Sequence, residues 1–183
     1  ATVILTDKTG TLTKNRLSLS ELYFNEERKE VKHLNGPPQE DTLYEQIMKV
    51  MLLCNNAELT EDGEGKGDML EIATLQFAKE LQDDITQKHR DAYRRIDEDP
   101  FDSESMMMST LHQKDEDLFS AAKGAAEPIL DRCDKIKTGE GVKKLTSEWK
   151  GEILEKSDEM SSDGLRTIAL ACKEPEEQED FDK

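Results

Sequence analysis

Long apolar runs are missing from this 183-residue chain, and basic charge, aromatic side chains and cysteine are all scarce. No stretch approaches the roughly 20 apolar residues needed to cross a bilayer, and no signal peptide precedes Ala1, so the chain is expected to be soluble as it stands. Acids outnumber bases 42 to 25, for a net charge of -17, which argues against a nucleic-acid partner and does not favour an anionic membrane surface. Cys54, Cys133 and Cys172 are odd in number and far apart, a pattern of free thiols in a reducing compartment and not of a disulfide framework. His33, His89 and His112 show no ligand spacing, so no structural metal site is expected. No Gly-x-x-x-x-Gly-Lys-Ser/Thr loop occurs, and the glycine clusters Gly63–Gly67 and Gly139–Gly141 have the wrong pattern for one. With 34% hydrophobic and 37% charged residues, the core must be modest and the surface heavily charged.

What the chain does have begins at Val3. Val3-Ile4-Leu5 has the apolar, β-branched character of a buried parallel strand, and Asp7 follows at its carboxyl end, where open α/β sheets place their chemistry. A carboxylate there accepts a phosphoryl group once Mg2+ and a lysine offset the charge repulsion; Lys8 is adjacent, and Gly10 lets backbone amides approach phosphate oxygens. The ordinary alternative is a surface turn that happens to carry an aspartate.

Further on, Leu17 to Phe24 and Val31 to Leu34 read as a hairpin closed near Asn25 to Arg28 and stopped at Asn35-Gly36-Pro37-Pro38. The spacing of Leu43, Ile47, Val50, Met51 and Cys54 predicts a helix from Glu40 to about Cys54. Thr60 to Gly67 is an acidic loop without the alternating oxygen ligands of a calcium loop. Asp68 is placed to cap a second helix with Leu70, Ala73, Phe77 and Leu81 inward, and Glu71 off that stripe in the dipole-favoured first turn. Strands at Arg94 to Asp97, Met106 to His112 and Leu118 to Lys123 imply an antiparallel meander. Helices are expected over Glu127 to Cys133 and Trp149 to Met160, the latter ending near Ser162-Asp163-Gly164. A last strand is expected over Arg166 to Lys173. Glu174 to Lys183 reads as an acidic, disordered tail.

The string Asp7-Lys8-Thr9-Gly10-Thr11-Leu12-Thr13 resembles, at every position, the phosphorylation signature of the P-type ion-pumping ATPases. The related dehalogenase-like phosphatases carry a second aspartate two residues after the first; Thr9 stands there and cannot shuttle a proton at neutral pH, which suits a persistent phosphoenzyme. Four later stretches resemble that family's nucleotide-binding domain, in the same order. They are Gly67-Asp68-Met69-Leu70-Glu71, Phe101-Asp102-Ser103, Lys123-Gly124-Ala125-Ala126-Glu127 and Asp163-Gly164-Leu165-Arg166. The resemblance covers nearly the whole chain and is closest to the calcium-pumping branches. It implies that Glu71 faces the adenine amino group, Phe101 stacks on the base, Lys123 and Gly124 floor the pocket, and Arg166 reaches the phosphates. It also implies that Asp7, Lys8 and Thr9 are catalytic and that Asp7 and Thr9 help to hold Mg2+. Met106 stands where the family usually has a basic residue.

These readings predict an α+β fold, an antiparallel sheet flanked by helices, at 16–173. A fragment of the split phosphorylation domain precedes it at 1–15 and the acidic tail follows at 174–183. The implied ligands are ATP and Mg2+. The implied partners are the remaining phosphorylation, actuator and transmembrane domains of the same pump, whose later phosphorylation segments are absent here, at the cytoplasmic face of a membrane. Alone, the chain is expected to bind nucleotide without turnover. The rival reading is a non-catalytic acidic interaction or calcium-buffering module.

Overall fold

The computed structural model describes residues 17–34, 42–60, 62, 64–177 and 181. The Asp7 segment, the Asn35 to Pro38 stop and half of the acidic tail therefore lie outside the described residues; within the tail, Phe181 is buried and its carbonyl accepts a hydrogen bond from Lys173.

The architecture is the α+β arrangement the sequence predicts. A four-stranded antiparallel sheet contains β5 (Arg94–Asp102), β6 (Met107–Lys114), β7 (Asp117–Gly124) and β10 (Ala169–Lys173), in the order β10-β7-β6-β5. The meander is as expected, but β5 runs through Pro100 and Phe101 to Asp102. Proline is tolerated because β5 is an edge strand, and its exposed Asp97, Glu98, Asp99 and Asp102 discourage edge-to-edge association. The final strand starts at Ala169, not Arg166.

Helix α1 (Leu43–Leu53) joins two layers. It begins later than Glu40, at the point where the Thr42 hydroxyl accepts the Glu45 N–H. Its LYEQIMKVMLL sequence is apolar on more than one face near its end, so it is buried on two sides. Met48, Met51 and Leu52 pack with Leu75, Phe77 and Ala78 of α2 (Met69–Leu81) and with Ile85 of α3 (Ile85–Ala92). Val50, Leu53 and Cys54 pack on Met108, Phe119 and Ala121 of the sheet. Those sheet residues alternate along their strands, as one covered face requires.

The periphery is built from smaller units. The hairpin of β1 (Glu21–Phe24) and β2 (Glu27–Glu30) turns at Asn25-Glu26, both at positive φ, so the closure is a two-residue turn shorter than expected. Glu58–Leu59 and Gly65–Lys66 pair as the short β3 and β4 at the ends of the acidic loop. After α4 (Ala126–Asp131), β8 (Lys135–Thr138) and β9 (Gly141–Lys144) form a lysine-rich hairpin. Helix α5 (Ser147–Ser162) is stopped by Gly164 at φ 85°, with Gly164 N–H donating to the Ser161 carbonyl and Leu165 N–H to that of Met160. These two bonds close the helix end, and only glycine takes that backbone conformation without strain.

Candidate functional site

Strand register builds the site. Asp102 lies opposite Met107, Met107 opposite Gly124, and Gly124 opposite Ala169, so one row crosses the whole sheet at one end. Phe101 precedes that row on β5, Lys123 precedes it on β7, and Arg166 lies three residues before it on the approach to β10. Three stretches far apart in sequence thus meet at one edge of one sheet, over a width of about 15 Å at the usual strand spacing.

The backbone there is closely fitted. A Cβ at Gly124 would stand 2.6 Å from the Met106 carbonyl oxygen and 2.6 Å from the Met107 Cβ, so the position admits no side chain without displacing the strand beside it. Met106 has φ 53°; its N–H donates to the Asp102 carbonyl and its own carbonyl accepts from Ala125 N–H. The Asp102 carboxylate accepts from Ser105 N–H at 2.7 Å and Glu104 N–H at 3.1 Å, and the Ser105 bond above all holds its pKa below the ordinary carboxylate range. The tight 102–106 turn leaves two large apolar side chains facing solvent, Phe101 at 62% exposure and Met106 at 45%. An aromatic ring so exposed at a sheet end is poised for stacking and contributes little to the core.

Beneath this edge sits a buried ion pair. Lys123 shares the covered face with Phe119 and Ala121, which runs its stem through the core toward α2. Its Nζ donates to Glu71 Oε1 at 2.6 Å, with both side chains about nine-tenths buried. The other carboxylate oxygen, Oε2, accepts the Asn56 backbone N–H at 3.1 Å. Asp68 caps α2 as expected, accepting from Leu70 and Glu71 N–H, but Glu71 is not a surface acid of the first turn. Its pairing with a lysine 52 positions away draws it inward, an interaction to which helical spacing is blind.

Glu71, Lys123, Gly124 and Phe101 are therefore gathered at one end of the sheet, with Arg166 exposed on the approach. Asp7, Lys8 and Thr9 lie outside the described residues. A cavity of about 980 Å³ opens elsewhere, lined by Leu22, Ile47, Ile129, Trp149 and Leu165; Arg166 borders it, but Phe101, Glu71 and Lys123 do not. Its size does not make it the stronger candidate, because recognition of a charged, planar ligand needs convergent polar groups beside an aromatic face. Two site residues had no signal in the sequence. Asn56 contributes a backbone amide, and Arg95, which reads as an ordinary strand residue, binds the segment that carries it.

Comparison with known proteins identifies the domain. The family model described as P-type ATPase, cytoplasmic domain N, matches residues 43–183. The chain belongs to that family. Among curated relatives of this domain N, a calcium-transporting ATPase of Bacillus cereus is 35% identical over 175 residues, covering 94% of this chain and 19% of the relative. A calcium-transporting ATPase of Listeria monocytogenes is 31% identical over 174 residues, covering 93% and 19%. A probable cation-transporting P-type ATPase of Mycoplasma genitalium is 32% identical over 171 residues, covering 93% and 16%. The chain thus spans about a fifth of the length of the relatives it matches. Among the described residues no helix is long and apolar enough to cross a membrane.

Proposed function

We propose that this domain N binds an adenine nucleotide at the sheet end carrying Phe101, Glu71, Lys123 and Gly124, and that it does so as the nucleotide-holding part of a cation pump. The observation that carries the reading is convergence: stretches separated by tens of residues place an exposed aromatic ring, a carboxylate acceptor, an ammonium and a side-chain-free strand end around one edge. Phe101 supplies a face for the base and Glu71 an acceptor for its exocyclic amine. Lys123, bonded to the Glu71 carboxylate, floors the base end, Arg166 supplies positive charge for the phosphates, and Gly124 keeps the floor strand closely fitted to its neighbour.

ATP in this site is a phosphoryl donor. Asp7 is the proposed acceptor, with Lys8 beside it and with Asp7 and Thr9 as ligands for Mg2+, and domains of the pump beyond this chain complete the phosphorylation site. Residues 1–15 belong, in this reading, to the phosphorylation domain, 16–173 to the nucleotide-binding domain and 174–183 to a tail. The names of the relatives make calcium the first ion to test in the intact pump. The pump's membrane places this domain on the cytoplasmic face, and the chain alone binds without turnover.

Phe101→Ala tests the reading. Because the ring is exposed, the melting temperature should stay within a degree or so of the parent's. Calorimetric binding of ATP and AMP should weaken alike, by about 1 to 3 kcal/mol, since stacking involves only the base. Unchanged affinity for both nucleotides would show that the base lies elsewhere.

A further inference from the structure

Arg95 makes more hydrogen bonds than a half-exposed strand arginine needs, and their targets are informative. Its Nη2 donates to the Leu53 carbonyl at 2.6 Å and the Asn55 carbonyl at 2.9 Å, the groups left open where α1 ends. Its Nη1 reaches the Asn56 side-chain oxygen and the Glu98 carboxylate, the latter at 2.8 Å. Arg90 joins from α3, donating to the Asn55 and Ala57 carbonyls at 3.2 and 3.1 Å. On the opposite side, the Asn55 side chain donates to the Glu71 carbonyl at 3.1 Å and to the Thr74 hydroxyl at 2.9 Å. The turn from Leu53 to Ala57 is thus held between two guanidinium groups and the first turns of α2. Its one contact with the Glu71 carboxylate is the Asn56 N–H.

We propose that Arg95 is a positioning residue for the nucleotide site: by fixing the Leu53–Asn56 turn it aims the Asn56 N–H at Glu71 Oε2 and so sets how that carboxylate meets a base. The inference rests on the nucleotide reading above. Among the described residues each Glu71 oxygen accepts one hydrogen bond, Oε1 from Lys123 and Oε2 from Asn56, which leaves each a lone pair for a further donor. With Lys123 alone the carboxylate could swing about that single bond. The second bond, two residues beyond a helix end fixed by Arg95, removes the freedom. A planar fork is suited to this task, since it grips two carbonyls and an amide oxygen together, and a lysine ammonium in its place would lose that geometry. The role is recognition of a base bearing an exocyclic amine, with no part in holding phosphates.

ATP and ITP separate this role from general support, because inosine lacks the exocyclic amine. The parent chain should prefer ATP over ITP. In Arg95→Met the ATP affinity should fall about tenfold, in line with loss of one oriented hydrogen bond to a charged acceptor, while ITP affinity stays within about twofold. Arg95→Lys should recover part of the preference. Asn56→Ala, at an exposed position, removes the Arg95 grip on Asn56 while leaving both helix-end carbonyl bonds, and it gives the same readout should Arg95→Met unfold. Equal weakening of ATP and ITP, or an unchanged ratio in folded Arg95→Met and Asn56→Ala, would overturn the positioning role while leaving nucleotide binding intact. A parent that binds neither nucleotide would instead remove the reading on which the role rests.

Discussion

Lys123→Ala is expected to destabilise the chain by about 3 to 5 kcal/mol, because it leaves the Glu71 carboxylate buried without its cation. For a domain of this size that lowers the melting temperature by roughly 10 °C. Desolvation outweighs attraction here: the pair gains little over an apolar pair of the same shape, but half of it is costly. The double variant Glu71→Leu/Lys123→Met should therefore recover most of the lost stability while binding ATP no better than Lys123→Ala. Denaturant unfolding of the parent, single and double variants checks this. A Lys123→Ala protein within about 1 kcal/mol of the parent would mean that the pair is hydrated in solution. Loss of nucleotide binding in Lys123→Ala is thus interpretable only beside its stability, whereas the exposed Phe101 gives a cleaner probe.

Acid should weaken the fold through His112. The ring is almost wholly buried, with Nδ1 3.3 Å from the Tyr93 carbonyl and Nε2 2.9 Å from the Thr110 hydroxyl. A carbonyl can only accept, so Nδ1 carries the proton and Nε2 accepts from Thr110. Burial pushes the pKa from 6.5 down to about 4; the Tyr93 carbonyl pulls it up, but the nearby Arg95 and Arg90 oppose the added charge. Between those two values the unfolded chain binds a proton that the folded chain refuses, so stability falls as pH falls. The slope is about 1.4 kcal/mol per pH unit and the loss roughly 3 kcal/mol by pH 4, below which this group adds nothing more. His89, also held low by burial, acts in the same direction, and the carboxylates titrate too, so the contribution is read as a difference between proteins. His112→Asn should be less stable than the parent at pH 7 and should lose less on acidification. Parallel urea-unfolding profiles for the two proteins from pH 7 to pH 4 would contradict this.

Much of the fold is legible wherever a local rule sets it. Asp68 caps α2 by bonding its N–H groups, Gly164 ends α5 because the helix stop needs a positive φ, and the β5-β6-β7 meander follows from short polar turns between apolar strands. Where long-range contacts decide, pattern fails. The segment ITQKHRDA holds α3 with only Ile85 buried, so its apolar signal is a single residue. The β8–β9 hairpin is lysine-rich, and its Val142 is exposed, which hides the period-2 signal that marks a strand. The site divides in the same way. Glu71, Phe101, Lys123 and Gly124 are all visible as motifs, yet helical spacing alone makes Glu71 a first-turn acid, and its burial follows only when Lys123 and Asn56 are brought to it across the fold. Nothing local distinguishes Arg95 from Arg94, because its function lies in carbonyls some 40 residues earlier.

Adenine nucleotide held at the sheet end of Phe101 and Lys123 is reported directly by backbone amide resonances. Titrating ATP into the isotopically labelled 183-residue chain should shift the amides of Phe101, Met106, Lys123 and Gly124, with AMP moving the same set through the base. The exposed β8–β9 hairpin around Val142 should stay still. Shifts confined to that hairpin and the cavity beside Trp149, or none at millimolar ATP, would contradict the claim.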